Sequence, residues 1–381
     1  MSLKTLFGDS SLTRNFKIFL DNILLKNDEI ITFEIKFDMF SYFTFAYLSF
    51  RDSFSISNSN KIKINEETTV RVEILDRYNC FFKCKFKPVK FYFDDTEKRV
   101  RNININLVDE ISFNLAKEMD SKSFDGKITN FFKEQFKKYE LPFGNDVFKF
   151  SEKHNCGDEK LISSSGETTF DFFKSRLKMQ GIAFWMNHYE FALKELDVKN
   201  FNDKSNSICY RTDITNNDNI FKINQVKRKN SSKTSIPIST IEYTQTNGKL
   251  QLTKTISVKD LVHRVQLNNN ASEFISEDKN NKISVTTSYG AKLEEFNQLI
   301  RMLKNNQIII FVSGSFKYGN VGNIVKVFVD SKSPYIEQQL SGDPSASGKY
   351  IITSVVDKFI GTKFAQKITL SRFDNPKVLK I

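Results

Sequence analysis

The sequence lacks any long hydrophobic stretch. Among its 381 residues no apolar run reaches the roughly 18 residues of a membrane-spanning helix. The first twenty residues, MSLKTLFGDSSLTRNFKIFL, contain no apolar core of the kind found in secretory signal peptides. These absences predict a chain that is made in the cytoplasm and is neither exported nor inserted into a membrane.

Cysteine is scarce, which excludes a disulfide-stabilised scaffold. The four cysteines are Cys80, Cys84, Cys156 and Cys209. Cys80 and Cys84 lie four residues apart in YNCFFKCKF. On a strand this spacing places both side chains on one face but far apart, so we expect two buried thiols.

Histidine is also rare, and the three residues, His154, His188 and His263, lie far apart in the sequence. The pair His154 and Cys156 in KHNCGDEK is half of a possible metal site, but no second pair has ligand spacing. His188 falls in an expected hairpin turn, where a polar residue is ordinary. We therefore expect no metal and no other cofactor.

The motifs of nucleophilic and nucleotide-dependent enzymes are missing. The segment VSGSFKYGNVG has neither the Gly-x-Ser-x-Gly spacing of a nucleophile elbow nor the Lys-Ser/Thr of a phosphate loop. Its glycines, Gly314, Gly319 and Gly322, lie between apolar strands and are more simply explained as turn residues. No catalytic residue is assigned.

Two acidic pairs could in principle supply the two carboxylates of a glycoside hydrolase. They are Asp94-Asp95 and Glu294-Glu295. Nothing in the sequence brings them together, and the second pair falls on the polar face of an expected helix. The single tryptophan, Trp185, lies in the strand-like segment IAFWM and is better explained as a core or interface residue than as a ligand-stacking one.

Basic residues and phenylalanine are abundant. Lysine and arginine outnumber aspartate and glutamate by 57 to 45, which leaves a net charge of +12 and suits an acidic partner. The charge is scattered, however, and its densest runs are Lys227-Arg228-Lys229 and Lys137-Lys138, whereas nucleic-acid-binding proteins usually concentrate it on one face. The 38 phenylalanines, with many Lys, Asn and Ile residues, are also what AT-rich codon usage produces.

Alternating apolar and polar residues predict antiparallel strands at both ends of the chain. In TVRVEIL, Val70, Val72 and Ile74 share one face, and RNININLV (residues 101–108) alternates in the same way. Further strands are expected in IITFEIKF, YFTFAYLSF and FFKCKFKPVKFYF, where Pro88 marks an edge or a bend. The closing segment SGKYIITSVVDKFIGTKFAQKITLSR reads as a hairpin, and QIIIFVSGSF and NIVKVFV precede it.

Three segments have the spacing of amphipathic helices. Their apolar stripes are Ile128, Phe132, Phe136 and Tyr139; Phe170, Phe173 and Leu177; and Leu293, Phe296, Ile300 and Leu303. Pro142 and Gly144 should end the first helix, while Thr168 should cap the second and Gly181 should stop it. The segment IAFWMNHYEFAL then forms a hairpin that turns around Asn187-His188. From residue 201 to 250, polar loops are expected between short strands such as FKINQV and TIEYTQT, and residues 330–348 are expected to be a polar surface loop.

Several of these segments, in order, resemble the central baseplate hub proteins of contractile-tailed phages. SFDGKITNFFKEQFKKY resembles the helix that follows their first β domain, and TTFDFFKSRLKMQGIAFWMNHYEFAL resembles their next helix and hairpin. GSFKYGNVGNIVKVFVDSKSP with SGKYIITSVVDKF resembles their closing block, which also occurs in the hub region of type VI secretion spike proteins. AYLSFRDSFSIS fits an early strand of the family. The resemblance runs from about residue 42 to 372.

The resemblance implies a mainly β fold with two tube-like antiparallel β-barrel domains and inserted α+β segments. Residues 1–112 would form the first tube-like domain and 113–200 an α+β insertion. Residues 201–288 would be a β-rich, loop-decorated region, and 289–381 would complete the second tube-like domain. Because the family has no invariant catalytic residue, no enzymatic role is carried over, and no interface residue is assigned.

The resemblance also implies partners. Three copies would form a ring in which six tube-like domains match a hexameric tail tube. A tail tube initiator or tube protein and a tape-measure protein would lie above the ring, and a trimeric spike/lysozyme protein would lie below it. DNA would pass the lumen without specific binding, and most lysines would face outward. The alternatives from other classes are a basic β-rich module that binds nucleic acid or polysaccharide, and a hydrolase with a dispersed active site.

Overall fold

The computed structural model describes most of the chain. The described residues are 11–52, 64–95, 101–119, 123–138, 149–162, 166–212, 220–227, 234–237, 239–246, 249–257, 264, 275–278, 283–285, 288–305, 307–329 and 347–372. Tyr139, Pro142, Gly144, Arg228, Lys229, His263 and most of the 330–348 loop lie outside them. Within the described ranges, no helix combines the length and the hydrophobicity needed to cross a bilayer.

Strands dominate both ends of the chain. The N-terminal set is β1 (Ser11–Leu12), β2 (Asn15–Leu20), β3 (Ile23–Leu24), β4 (Ile30–Asp38), β5 (Phe45–Arg51), β6 (Val70–Leu75), β7 (Phe81–Asp95) and β8 (Arg101–Asp109). The central set is β9 (Ser123–Lys127), β10 (Lys149–Lys153), β11 (Asp158–Ile162), β12 (Ile182–Met186), β13 (Glu190–Glu195), β14 (Asn202–Asp203), β15 (Cys209–Arg211) and β16 (Ile220–Lys227). Then follow β17 (Thr234–Pro237), β18 (Ser239–Thr246), β19 (Lys249–Ser257), β20 (Ile275–Asp278), β21 (Ile283–Val285), β22 (Gln307–Ser313), β23 (Asn323–Phe328), β24 (Gly348–Ile360) and β25 (Lys363–Ser371).

Alternation along the N-terminal strands produces one buried face, as expected. Val70, Val72 and Ile74 of β6 are fully buried, and the intervening Arg71 and Glu73 form an ion pair on the opposite face. In β8 the prediction was wrong at one position, because Asn104 is buried on the polar face. Its amide donates to Asp94 and its oxygen accepts from the Tyr47 hydroxyl, so neighbouring side chains satisfy the buried polar group.

The two ends of the chain join in one large sheet. Its strand order is β16-β22-β25-β24-β4-β5-β8-β7-β6-β2-β3, and β1, β14, β15 and β23 pair off this path. The N-terminal and C-terminal sets meet where β24 runs antiparallel to β4, from Ser354 opposite Asp38 to Phe359 opposite Phe33. The closing hairpin therefore does not stand alone, because its first strand continues the N-terminal sheet.

The core beneath this seam is built from phenylalanine. The rings of Phe16 and Phe359 stack at 5.3 Å, and those of Phe359 and Phe364 stack at 4.4 Å. Phe33 lies 6.0 Å from Phe359. Offset aromatic pairs of this kind add stabilisation to the area that they bury. Residues from both ends of the chain thus share one hydrophobic core.

Four helices lie within the described residues: α1 (Glu110–Lys117), α2 (Ile128–Lys138), α3 (Thr169–Met179) and α4 (Ser288–Asn305). α1 was not expected from the sequence, although Asp109 caps it by accepting from the amide of Ser112. In α2 the expected stripe is buried at Ile128, Phe132 and Phe136, and the expected stripe of α3 is buried throughout. In α4 the prediction was partly wrong, because Leu299 and Met302 are buried while Leu293 and Ile300 are half-buried.

The segment between the two strand regions is a small α+β unit. The expected hairpin is formed by β12 and β13, and β10 adds to β13 in parallel. α2 and α3 pack on this sheet through Phe132, which meets the rings of Phe173 at 5.1 Å and Phe184 at 5.0 Å. The architecture confirms the predicted fold class, a mainly β chain with inserted α+β segments.

We expect Thr168→Ala to lower the free energy of unfolding by about 1 kcal/mol. The Thr168 hydroxyl accepts from the amide of Asp171 at 3.1 Å and caps α3, as the sequence indicated. Thr168→Ser keeps the hydroxyl and is the matched control. Urea unfolding followed by circular dichroism measures both, and equal loss in the two variants would contradict the capping role.

Candidate functional site

Three distant parts of the chain meet at the loop between β22 and β23. We call residues 314–322 the junction loop. It contacts the N-terminal sheet, the turn of the β12–β13 hairpin and the closing β24–β25 hairpin through hydrogen bonds between residues 51 to 240 positions apart. Such a meeting point sets how the α+β unit sits on the large sheet.

The N-terminal sheet contacts the junction loop through Asp76. This buried carboxylate accepts from the amide of Phe316 at 3.0 Å, and also from the amides of Tyr78 and Cys80. The ring of Phe316 lies 5.5 Å from that of Phe82. One carboxylate therefore shapes the β6–β7 turn and holds the junction loop against it.

The α+β unit contacts the loop through a two-way amide pair. The side-chain oxygen of Asn187 accepts from the amide of Val321, and its side-chain nitrogen donates to the carbonyl of the same residue, both at 2.9 Å. The indole of Trp185 donates to this carbonyl at 3.1 Å. Trp185 is 1% exposed, so it is a core residue, as the sequence favoured.

His188 lies at the centre of the junction. Its side chain and that of Asp357 are both fully buried, and Nε2 lies 2.5 Å from Oδ2 of Asp357. Nδ1 lies 3.1 Å from Oδ1 of Asn320. Because Nδ2 of Asn320 donates to the carbonyl of Phe316, its oxygen is fixed towards the ring. The rings of Phe37 and Phe316 lie 4.6 and 4.7 Å from the imidazole.

The hydrogen-bond chain continues to the backbone on the other side of Asp357. Gln366 donates to Oδ1 of Asp357 at 2.8 Å, and its own oxygen accepts from the amide of Ser315 at 3.2 Å. Backbone groups of the junction loop thus hold both ends of the network, Phe316 at one end and Ser315 at the other. A network with every member satisfied in a dry interior is rigid and specific to one arrangement.

The chemistry available here is structural. The His–Asp pair is sealed from solvent, and the nearby Ser315 hydroxyl accepts from the amide of Lys317. A nucleophile needs access to a substrate, which a fully buried pair does not have. The network works as a clamp that fixes three chain segments.

The three glycines of the junction loop lie between β22 and β23, as expected, but each has a further reason to be glycine. A Cβ at Gly314 would lie 2.2 Å from the ring of Phe364, and one at Gly322 would lie 2.7 Å from Trp185. Gly322 also has a φ of +86°. A Cβ at Gly319 would lie 2.8 Å from the amide of Gln366. At Gly314 and Gly322 the loop lies too close to buried rings for a side chain, whereas at Gly319 the neighbour is the end of the Gln366 side chain.

The other candidates from the sequence are not brought together. His154 lies 3.3 Å from Glu152, and among the described residues no group of three or more His, Cys, Asp or Glu side chains could hold a metal ion. Cys84 is buried, and burial raises the pKa of its thiol well above the ordinary value. The prediction was wrong for Cys80, which precedes β7 and is only half-buried.

Sequence reasoning missed the junction network, although one signal was present. In the alternating strand SVVDKFI, Asp357 lies two positions after Val355 and two before Phe359. It therefore shares their inward face, where an apolar residue is expected. A carboxylate at an inward position requires a buried partner. The partner, His188, lies 169 residues earlier, and no local pattern connects the two.

Comparison with known proteins finds similarity in structure. No family model matches the chain, and no curated protein matches it in sequence. The 43 kDa tail protein of prophage MuSo2 from Shewanella oneidensis aligns with a TM-score of 0.59 at 11% identity, covering 94% of this chain and 98% of that one. A tail protein from Neisseria meningitidis aligns with a TM-score of 0.55 at 10% identity, covering 94% and 96%.

A third similar structure comes from a secretion machine. An Escherichia coli component of the type VI secretion system, itself described as structurally similar to tail proteins gp27 and gp5 of phage T4, aligns with a TM-score of 0.51 at 9% identity. The alignment covers 96% of this chain and 77% of that one. The chain therefore has the fold of phage tail proteins, a fold that it shares with this secretion-system component.

Proposed function

We propose that the protein is a structural component of a phage tail baseplate, the central hub ring that connects the tail tube to the membrane-piercing spike. The observation that carries the proposal is the seam between β4 and β24, which joins the two strand-rich ends of the chain into one sheet. The structural similarity to the two tail proteins over 94% of the chain supports it.

The proposed assembly is a homotrimer located in the virion and assembled in the bacterial cytoplasm. Residues 1–112 and 289–381 form the two tube-like domains, 113–200 the α+β insertion, and 201–288 a β-rich decoration. Three chains then present six tube-like domains to a hexameric tube and hold a trimeric spike below. Obligate ring contacts of this kind bury more than about 2,000 Å², and they cover strand edges that would otherwise aggregate.

The role is proposed to be non-enzymatic. The His188–Asp357 pair, which in an open cleft would suggest acid–base chemistry, is used as an internal clamp. DNA is proposed to pass the lumen without specific binding, with the excess of basic residues facing the neighbouring baseplate proteins.

The experiment that tests the proposal measures mass and DNA binding of the full chain. We expect light scattering to show a multiple of three chains per particle, alone or with the co-expressed spike protein, and no retention on a DNA column at about 150 mM salt. A single chain that binds DNA in a strongly salt-dependent manner would contradict the proposal and favour the alternative, a basic β-rich binding module.

A further inference from the structure

The outer part of β7 is an open sheet edge. β7 pairs with β6 only through residues 81–86, whereas it pairs with β8 from Phe86 to Asp95. In the part of the chain that the structure describes, no strand pairs with the other edge of residues 89–95, which we call the β7 outer segment. A bulge between Pro88 and Lys90 separates this segment from the rest of the strand. Open edges are the usual places where a second strand adds.

The side chains of the β7 outer segment are unusually apolar for an exposed edge. Val89 is 59% exposed, and Phe91, Tyr92 and Phe93 are each 41 or 42% exposed. The rings of Phe91 and Phe93 lie 5.8 Å apart. Proteins usually protect such edges with charge or cover them, and a contiguous exposed aromatic patch indicates a contact surface.

We propose that two copies of this protein pair edge to edge through the β7 outer segment, antiparallel and centred on Tyr92. In that register Tyr92 of one copy lies opposite Tyr92 of the second copy. Phe91 lies opposite Phe93, and Lys90 lies opposite Asp94. Because the side chains alternate in a strand, the phenylalanines meet on one face of the joined sheet and the charged residues meet on the other.

The occupant is a second copy because the segment KFYFD (residues 90–94) is complementary to itself. Lys90 and Asp94 are both exposed, and the twofold register turns them into two opposite-charge pairs beside two aromatic pairs, the combinations that stabilise neighbouring strands. A nucleic acid would bind a strip of positive charge, whereas the opposite charges of Lys90 and Asp94 cancel in this segment. An unpaired backbone edge is satisfied along its whole length only by another strand.

The symmetry separates this contact from the proposed ring. The pairing is isologous, so it has a twofold axis, whereas the ring has a threefold axis. The inference therefore does not rest on the proposed function. With only the β7 contact the particle is a dimer, and with both contacts it is a hexamer of two rings.

The test is a charge swap on the full chain, with mass measured by sedimentation velocity across a range of concentrations. Lys90→Asp and Asp94→Lys each replace two opposite-charge pairs with two like-charge contacts, so we expect each variant to have half the wild-type mass and a dissociation constant raised roughly tenfold or more. Asp94 also accepts from the buried amide of Asn104, so circular dichroism first confirms that the Asp94→Lys variants are folded at the temperature of the measurement. The double variant Lys90→Asp/Asp94→Lys restores both pairs and should recover the wild-type mass. Lys367→Asp, at an exposed position of β25, is the matched control and should leave the mass unchanged.

A second variant tests the apolar face. Phe91→Ser/Phe93→Ser should also halve the mass, with an unfolding midpoint close to that of the wild type because both rings are exposed. If the double variant Lys90→Asp/Asp94→Lys does not recover the wild-type mass, the proposed register is wrong. If Lys90→Asp has the same mass as the wild type, the proposed contact is wrong. The two proposals can fail separately. If the wild type is a hexamer and Lys90→Asp is a trimer, both the ring and the β7 contact stand. If both proteins are trimers, the proposed ring stands and the β7 contact is wrong.

Discussion

Replacing Asp357 with alanine is expected to lower the free energy of unfolding by about 3 kcal/mol, because it leaves two buried hydrogen-bonding groups without a partner. The carboxylate contacts Nε2 of His188 and accepts from Gln366, and all of these groups are shielded from water. Alanine would leave the imidazole nitrogen and the amide without partners in a cavity lined by phenylalanine. The midpoint of urea unfolding, followed by tryptophan fluorescence of Trp185, measures the effect.

Two control variants define the cause. Lys358→Ala changes the next residue, whose ion pair with Glu34 is partly exposed, and should cost no more than about 1 kcal/mol. Asp357→Asn should cost much less than Asp357→Ala, because its amide can donate to Nε2 while its oxygen still accepts from Gln366. A loss in Asp357→Ala as small as that in Lys358→Ala would show that the network does not hold the junction.

Gly314→Ala should lower the free energy of unfolding by about 3 kcal/mol, at the upper end for overpacking a core. The new Cβ would lie 2.2 Å from the ring of Phe364, which is itself fully buried and stacked on Phe359. The amide of Gly314 also donates to the carbonyl of Phe364, so the loop cannot move away without losing this bond. Thermal and urea unfolding report the loss.

The control is Gly157→Ala, since a Cβ there meets nothing within 4 Å, and we expect a change of no more than about 0.5 kcal/mol. Phe364→Leu should partly rescue Gly314→Ala by making room for the methyl group. The double variant is then more stable than the sum of the single losses implies, which is the signature of two residues in contact. Simple additivity would rule out the steric cause.

Local patterns were sufficient for most of the elements but not for every position in them. The alternation of β6 and the stripes of α2 and α3 were predicted because a half-buried element repeats its apolar residues with the period of its own backbone. α1 was missed because its eight residues are too few to show that period beside a strand of similar composition. In α4 the buried face differs from the expected one by a partial turn, because the neighbouring elements decide which side of a helix is covered.

The candidate site could not be predicted in the same way. Asn187 and His188 resembled ordinary polar turn residues, and the three glycines of the junction loop resembled ordinary turn glycines. Their partners, Val321, Asp357 and Trp185, lie in other segments, and the contacts exist only when the segments are folded against one another. The network could not be predicted because its members lie far apart in the sequence, although their side chains are chemically suited to one another.

The sequence by itself determined a mainly β chain with inserted helices, since period and turn chemistry are local properties of the backbone and its side chains. The tertiary structure alone decided that β24 joins β4, that one buried histidine and one buried aspartate clamp three segments, and that no strand among the described residues covers the outer edge of β7. Each of these features depends on burial and on strand pairing between residues far apart in the chain. Both are determined only when the strands pair in the folded protein and water is excluded from the core.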